Sequence, residues 1–327
     1  MLPKLPYKKI VLAIFLVFLV LLGSWYYHNI RARNLVTGVI SNPADNLETR
    51  DRRVNVVLLG IGGDGHEGSD LTDSIMFISL NVDSKKALLI PIPRDIWVSS
   101  MKAKINTAYH YGLERREDGG RDLVKSAVAE VVGQPVHYVL VLDFAGFEKA
   151  IDAIGGIDVM VDATFDDYKY PIPGKEDAEP ESERYTHVHF DKGSTHMNGA
   201  TALQFTRSRH ALGDEGTDFA RSKRQEKVLV SFRDKLLSSK TLLNNSTVST
   251  LLRNIESSID TDITEKEYGS FGKLALAMDM HAGLTSLSLE SYLISPKNKS
   301  PYQGQYVLIP QTNWQELHTY VQENLPN

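Results

Sequence analysis

The sequence predicts an α/β domain, with a sheet layered between helices, carried behind one N-terminal membrane helix. Three observations lead there. An uncharged apolar run stands near the start, at Ile10–Leu22. From Val54 onward, continuous apolar stretches alternate with segments of helical periodicity. No second run long enough to span a bilayer follows.

The first run continues without charge through Gly23-Ser24-Trp25-Tyr26-Tyr27, so that residues 10–27 would rise roughly 27 Å as a helix against a hydrocarbon core of ~30 Å. Trp25, Tyr26 and Tyr27 stand at its end, as interfacial aromatics do. A cleaved leader is the competing reading, but no small-x-small cleavage site follows the run. The expectation is therefore an uncleaved single-pass anchor at 10–27 after a short N-terminus at 1–9. Lys4, Lys8 and Lys9 precede it and Arg31 and Arg33 follow, so basic residues alone leave its orientation open. Residues 28–53 are polar and contain Pro43; they read as a stalk, with a globular body over 54–327.

Within the body, Val54–Ile61 is an unbroken apolar run ending in glycines, the pattern of a strand buried on both faces. Ser74–Val82 and Ala87–Ile92 read as further strands, Arg121–Val132 as a helix, and Val136–Leu142 as a strand. Phe144–Ile154 (helix) and Ile157–Val161 (strand) follow. The acidic, Pro- and Gly-containing stretch 162–196 reads as an exposed insertion or lid. Asn198–Phe205 and Asp218–Leu237 read as helices, and Thr264…Glu267 and Thr312…Gln315 as capping boxes that open two more.

Composition narrows the function. The chain has 327 residues, 42% of them hydrophobic and 24% charged, enough to bury one large core or two modest ones. With 41 acidic and 36 basic residues its net charge is −5, which supplies no field for a nucleic-acid backbone. There is no cysteine, which removes disulfides, thiol nucleophiles, iron–sulfur clusters and Cys-ligated zinc.

Gly60-Ile61-Gly62-Gly63-Asp64-Gly65 follows a strand but opens no helix and lacks the Gly-Lys-Ser/Thr of a P-loop, so it does not read as a nucleotide site. Asp64, Asp70 and Asp73 remain as carboxylates at a strand's carboxyl end, either holding a hard cation such as Mg²⁺ or capping a polar turn. Arg94, within Pro93-Arg94-Asp95, ends another strand and is either a ligand group or half of a surface ion pair. Lys104 is uninformative alone.

The richest local signal is Arg207-Ser208-Arg209-His210, followed by Asp218 through Gln225. In an extended segment Arg207 and Arg209 share a side. On a helix Arg221 and Gln225 share a stripe with Leu229, Phe232 and Leu236. An inward-facing guanidinium needs an anion: a phosphate or pyrophosphate gripped by Arg forks, or a structural network with Asp214 and Asp218. His187-Val188-His189 puts two imidazoles on one strand face, a conceivable metal pair for which the sequence indicates no third ligand. No Ser-His-Asp arrangement stands out.

Taken in order, Asn55–Gly60, Asp73-Ser74-Ile75-Met76, Pro93-Arg94-Asp95, Lys104-Ile105-Asn106, Gly155-Gly156-Ile157, Asn198–Leu203, Arg207-Ser208-Arg209, and Asp218 with Arg221, Arg224 and Gln225 resemble the LytR-CpsA-Psr family of membrane-anchored cell-wall glycopolymer transferases. The likeness covers about residues 54–237, with a weaker echo from Gly304 to Pro310. It implies a three-layer α/β/α domain with a central mixed sheet, outside the cytoplasmic membrane. It also implies a polyprenyl pocket, a pyrophosphate site with Mg²⁺ (Mn²⁺ as a substitute), and transfer of a glycan-1-phosphate from a polyprenyl-pyrophosphate carrier to a peptidoglycan sugar hydroxyl. Asp73 matches the family's metal-side aspartate; Arg94, Arg207, Arg209, Arg221 and Gln225 match its pyrophosphate contacts, with Lys104 expected beside them. Leu71 stands where the family has arginine and Gly62 where it has a second metal aspartate, leaving Asp64 as the nearest replacement. A lipid-binding scaffold without turnover and a polyprenyl-pyrophosphate hydrolase are the alternatives. A DNA-binding regulator is disfavoured by the acidity, the predicted anchor and the lack of a helix-turn-helix pattern.

Overall fold

A computed structural model describes residues 42–64, 68–175, 177–236, 259–264, 267, 270, 271, 273, 274, 277 and 284–327. The expected anchor at 10–27 lies outside these residues, and among those described no helix is long and apolar enough to cross a membrane. The last part of the expected stalk is structured. Asn42 caps a helical turn at Pro43–Asn46 by accepting from the Ala44 N–H, and Leu47 is buried.

Strands run over Arg53–Ile61 (β1), Thr72–Asn81 (β2), Ala87–Pro91 (β3), Trp97–Val98 (β4), Ala103–Lys104 (β5), Tyr138–Asp143 (β6), Ile157–Val161 (β7), Phe165–Pro171 (β8), Tyr185–Phe190 (β9), Gly193–Met197 (β10), Ile259–Thr261 (β11), Leu284–Ser286 (β12), Leu293–Ile294 (β13) and Ile309–Pro310 (β14). The longer helices are Ala108–Arg115 (α1), Gly119–Val132 (α2), Phe144–Ala153 (α3), Gly199–Arg207 (α4), Asp218–Leu236 (α5) and Trp314–Glu323 (α6). Two compact units result. The first combines the chain up to Ile61 with Asp70–Leu142 and Asp260–Asn327, and the second combines Gly62–Ser69 with Asp143–Ile259.

The first unit holds the sheet β11-β6-β1-β2-β3-β12. Strand β2 is antiparallel to both β1 and β3, while β12 joins β3 in parallel, so the sheet is mixed. Val57, Leu59, Phe77, Leu88, Ile90, Val139 and Val141 pack on one face with Val124, Val128 and Val131 of α2 and Leu317 and Val321 of α6. Val56, Ile78, Leu89 and Leu140, of the opposite parity, are buried as well, and Phe271 meets the Tyr138 ring edge-on at 5.1 Å. Burial on both faces is why these strands read as unbroken apolar runs rather than alternating ones. Helix α2 ends at Gly133, whose φ of 67° is left-handed and whose added Cβ would lie 2.5 Å from the His318 ring of α6. The capping of α6 differs from expectation by one residue. Asn313, not Thr312, accepts from the Glu316 N–H at 2.9 Å, because helix start is set by backbone geometry that either side chain could have matched. Thr264 and Glu267 interact as expected, with the Thr264 N–H donating to the Glu267 carboxylate at 2.7 Å.

In the second unit, residues 162–196 are not a loose excursion. Strands β8 and β9 form an antiparallel ladder, and β10 pairs with β7. Phe165 stacks on Phe190 at 5.2 Å, and Phe205 of α4 packs on both. The inward positions Phe165, Asp167 and Tyr170, and Val188 and Phe190, are buried. The acidic and Pro-rich composition belongs to the tip around 172–184, and it hides the alternation on either side. Helix α4 starts against α3 so closely that a Cβ at Gly199 would lie 2.3 Å from the Glu148 carbonyl oxygen, while the Gly199 N–H donates to Asp152 at 2.8 Å.

Candidate functional site

In the first unit the sheet register positions the charged groups. Strands β2 and β3 pair Met76 with Pro91, and the Ile92 N–H donates to the Ile75 carbonyl at 2.9 Å. Continuing that antiparallel register by two positions brings Arg94 opposite Asp73. The Arg94 guanidinium donates through Nη1 to Asp73 Oδ1 at 2.6 Å. Asp95, buried, lies 3.8 Å from Arg94 Nε through its Oδ2, and Lys104 donates to its Oδ1 at 2.7 Å. Lys104 arrives there because β5 pairs with β4, Trp97 opposite Lys104. Asp73, Arg94, Asp95 and Lys104 thus form one alternating, self-neutralising row. A buried carboxylate needs such partners; Asp95 has two. The Nε–H of Arg94 and the side-chain oxygen of Asn106 are both buried without a hydrogen-bond partner.

The second unit carries Arg207, Arg209, Arg221 and Gln225. Arg207 closes α4, so it and Arg209 do not share one extended segment as the spacing suggested. Helical continuation through Arg207 ends that alternation. The Arg207 guanidinium lies over the Phe144 ring at 4.2 Å and the Tyr170 ring at 5.7 Å, a two-sided aromatic cradle. Burial pushes the Tyr170 hydroxyl pKa up, and the neighbouring Arg207 partly opposes that shift. Glu148 is also shifted upward by burial and by Asp152, again against Arg207.

The turn after Arg207 is built on Asp167, which is 1% exposed. Its Oδ2 accepts the backbone N–H groups of Arg209 at 3.0 Å and His210 at 3.1 Å, and its Oδ1 accepts from Lys169 at 2.9 Å. Three donors satisfy this buried carboxylate and hold the Arg209 backbone in place. Little in the local sequence distinguishes Asp167 from its acidic neighbours, because two of its three donors, Arg209 and His210, lie 42 and 43 residues downstream in a segment it bridges at Ala211.

Arg221 is buried on α5, as its stripe implied, and Gln225 is half-buried one turn later. Among the described side chains of α5, Ala220, Arg221, Arg224, Val228 and Phe232 are buried, which adds Arg224 and Val228 to the expected stripe. The side chains of Asp218, Leu229 and Leu236 lie outside the described residues. Arg224 is a clamp. It donates to the carbonyls of Phe205 (2.9 Å), Glu215 (2.8 Å) and Ser208, and pairs with the Glu215 carboxylate at 2.9 Å. A structural ion pair thus joins Arg224 to Glu215, two residues outside the Asp214 and Asp218 network considered from sequence. Burial pushes the Arg224 pKa down against the pull of Glu215. Asp64 is exposed at a turn bordering residues outside the described set.

The fold is that of an α/β protein whose arginines are held by an ion pair to Asp73, by the Phe144 and Tyr170 rings and by carbonyls of the Arg224 clamp. The chain matches the LytR_cpsA_psr family over residues 27–322, and it is a member of that family. Among curated relatives, polyisoprenyl-teichoic acid–peptidoglycan teichoic acid transferase TagU of Bacillus cereus is 29% identical over 67% of this chain, a match that spans 63% of the relative's length. The corresponding transferase TagV of Bacillus subtilis is 27% identical over 97% of this chain and 78% of the relative. The crystal structure of TagV of Bacillus subtilis shares the fold with a TM-score of 0.58 at 23% identity, covering 85% of this chain and 98% of that one. TagT bound to LI-WTA superposes with a TM-score of 0.56 at 23% identity, over 85% of this chain and 93% of that one.

Proposed function

We propose that this protein attaches a cell-wall glycopolymer: it moves a glycan-1-phosphate from a polyprenyl-pyrophosphate carrier to a sugar hydroxyl of peptidoglycan. The observation that carries the reading is membership of the LytR_cpsA_psr family across residues 27–322, with relatives named as teichoic acid transferases to peptidoglycan. In this reading the acceptor oxygen bonds to the glycan-side phosphorus as the phosphoanhydride oxygen departs with the polyprenyl phosphate. The acceptor hydroxyl loses its proton to a base.

Little covalent chemistry is asked of the protein; positioning and charge neutralisation dominate such transfers. Arg94, Arg207, Arg209 and Arg221 are assigned to the pyrophosphate oxygens, with Gln225 as a neutral donor. Arg94 is ion-paired with Asp73, so a pyrophosphate oxygen must compete with that carboxylate for the guanidinium. Lys104 acts one step back, by neutralising Asp95 and freeing Arg94 for its other partners. Asp95, buried and paired through both oxygens, is poorly placed to accept a proton; the bases proposed are Asp64, which is exposed, and Asp73, of which one oxygen is engaged by Arg94.

Mg²⁺, with Mn²⁺ as substitute, fits the donor chemistry of Asp73. One of its oxygens is engaged by Arg94 and the other carries no hydrogen bond among the described residues, and Mg²⁺ commonly uses one or two carboxylates plus substrate phosphates. Asp64 is the second carboxylate proposed for it. When bound, the ion would neutralise phosphate charge. An anchor at 10–27, with residues 1–9 cytoplasmic and 54–327 outside, would keep the domain beside its lipid-linked donor and raise the local concentration of that donor. The three-layer arrangement is supported by burial of both sheet faces.

The test uses the full chain in detergent with a polyprenyl-pyrophosphate-linked glycan labelled in the sugar and isolated peptidoglycan. Label should enter the peptidoglycan with release of polyprenyl phosphate, and Arg94→Ala should abolish both. Lipid retention with no transfer would support a scaffold instead, and release of free glycan phosphate in place of transfer would support a hydrolase.

A further inference from the structure

The pair of histidines noted in the sequence acquires its missing third ligand from the fold. Strand β8 runs antiparallel to β9 with Asp166 directly opposite His189. The period of two along β9 brings His187 to the same face. Asp166 Oδ1 lies 2.7 Å from His187 Nε2 and 2.8 Å from His189 Nδ1, and the three ligating atoms fall within 4.8 Å of one another. It is the one group of three or more such side chains with this geometry among the described residues.

We propose that Asp166, His187 and His189 form a binding site for a divalent transition cation of the Zn²⁺ type, on the outer face of the β8–β9 hairpin. Two imidazoles and a carboxylate are a ligand set that suits borderline cations and leaves a fourth position open to water. The donor atoms already face one another, so a cation needs only a small spreading of the three groups. It would replace the two hydrogen bonds of Asp166 by metal–ligand bonds, with the histidines neutral.

The surroundings support a positioned site. The Tyr168 ring stacks flat on His187 at 4.2 Å with the planes 6° apart, which restricts rotation of that imidazole. The free Nε2 of His189 lies 3.2 Å from Asp191, the carboxylate–histidine arrangement that orients many metal ligands. None of these residues belongs to the phosphate-binding groups assigned above. Asp166 is, however, the neighbour of Asp167, which anchors the Arg209 turn from the opposite side of β8.

Isothermal titration of the full chain with ZnCl₂ after chelator treatment, and absorbance titration with CoCl₂, test the site. We expect one equivalent bound, ligand-field bands in the Co²⁺ spectrum, and a rise in melting temperature with Zn²⁺. His187→Ala, His189→Ala and Asp166→Ala should each weaken binding by at least about tenfold, the lower end of what disturbing a metal's ligand environment costs. His196→Ala serves as the control. His196 is another exposed histidine paired with a carboxylate, Asp158 at 2.8 Å, but it has no third ligand among the described residues, and its loss should leave affinity unchanged. A circular dichroism spectrum and melt in chelator show whether each variant is folded; His189→Gln and Asp166→Asn, close in size, replace any that is not. Folded variants with wild-type affinity, or a His196→Ala loss equal to that of His187→Ala, would overturn the site, as would the absence of saturable binding.

Discussion

Arg224→Met should unfold the second unit at temperatures where the wild type is intact, without acting through ligand binding. The guanidinium is 3% exposed and donates to the carbonyls of Phe205, Ser208 and Glu215 as well as to the Glu215 carboxylate. It also lies over the Phe165 ring at 4.9 Å. Met fills similar volume and keeps the apolar contacts, so the loss isolates the polar part. Breaking a buried ion pair by removing one partner costs about 3–5 kcal/mol, because the remaining groups are stranded without solvent. For a domain of this size that corresponds to a fall of roughly 6–20 °C in Tm. Arg224→Lys should recover only part of it, since one ammonium cannot reach three carbonyls in a fork. Differential scanning calorimetry of the full chain in detergent, with and without a polyprenyl pyrophosphate, is the assay. A variant melting within 2 °C of wild type, or one whose deficit vanishes when ligand is added, would refute the clamp and place Arg224 among the ligand-binding groups instead.

Three further outcomes are expected. His137, buried, accepts the Asn55 N–H at its Nδ1 (2.8 Å), and burial holds its pKa below the ordinary 6.5. The unfolded chain therefore takes up a proton that the folded one refuses. Stability should be flat above about pH 6.5 and fall below it by at most ~1.4 kcal/mol per pH unit until the folded-state value is reached; urea titrations from pH 7.5 to 5 check this, and His137→Gln should flatten the slope. Arg207→Lys should weaken polyprenyl-pyrophosphate binding about tenfold or more with little change in Tm, because the aromatic cradle orients a planar group and a lysine makes no bidentate fork; calorimetric titration reads the difference. Gly199→Val should cost ~1–3 kcal/mol by forcing α4 away from Glu148, seen as a lower urea midpoint at unchanged m.

The first unit was the more legible in the sequence. Its strands are buried on both faces, so Val54–Ile61 and Ala87–Ile92 announce themselves as apolar runs, and α2 shows plain helical periodicity. The hairpin at 165–190 was obscured because its outward positions carry Asp, His and Lys, and its tip is rich in charge and proline. The candidate arginines were visible as residue types in a known order. What holds them was not: Asp167 reaches Arg209 across forty positions, and Phe144 and Tyr170 meet Arg207 only once α3, α4 and β8 are folded. The third ligand of the histidine pair was hidden for the same reason, since cross-strand register is a property of the hairpin and not of either strand.

The discontinuous make-up of the first unit bears on the order in which the protein can mature. Its core takes strands from residues 53–91, a helix from 119–132, and Leu317, Val321 and Leu325 from the end of the chain. The backbone carbonyl of Pro326 is hydrogen-bonded by Arg53 at the start of β1 and by Asn81 at the end of β2. While the chain is being made, the early strands must wait for α6 and Leu325 before their apolar face is closed. The second unit, mostly one continuous stretch, is complete well before that point. During synthesis the early strands are thus the segment with the longest exposure to chaperones and proteases, and α6 is the latch that ends it.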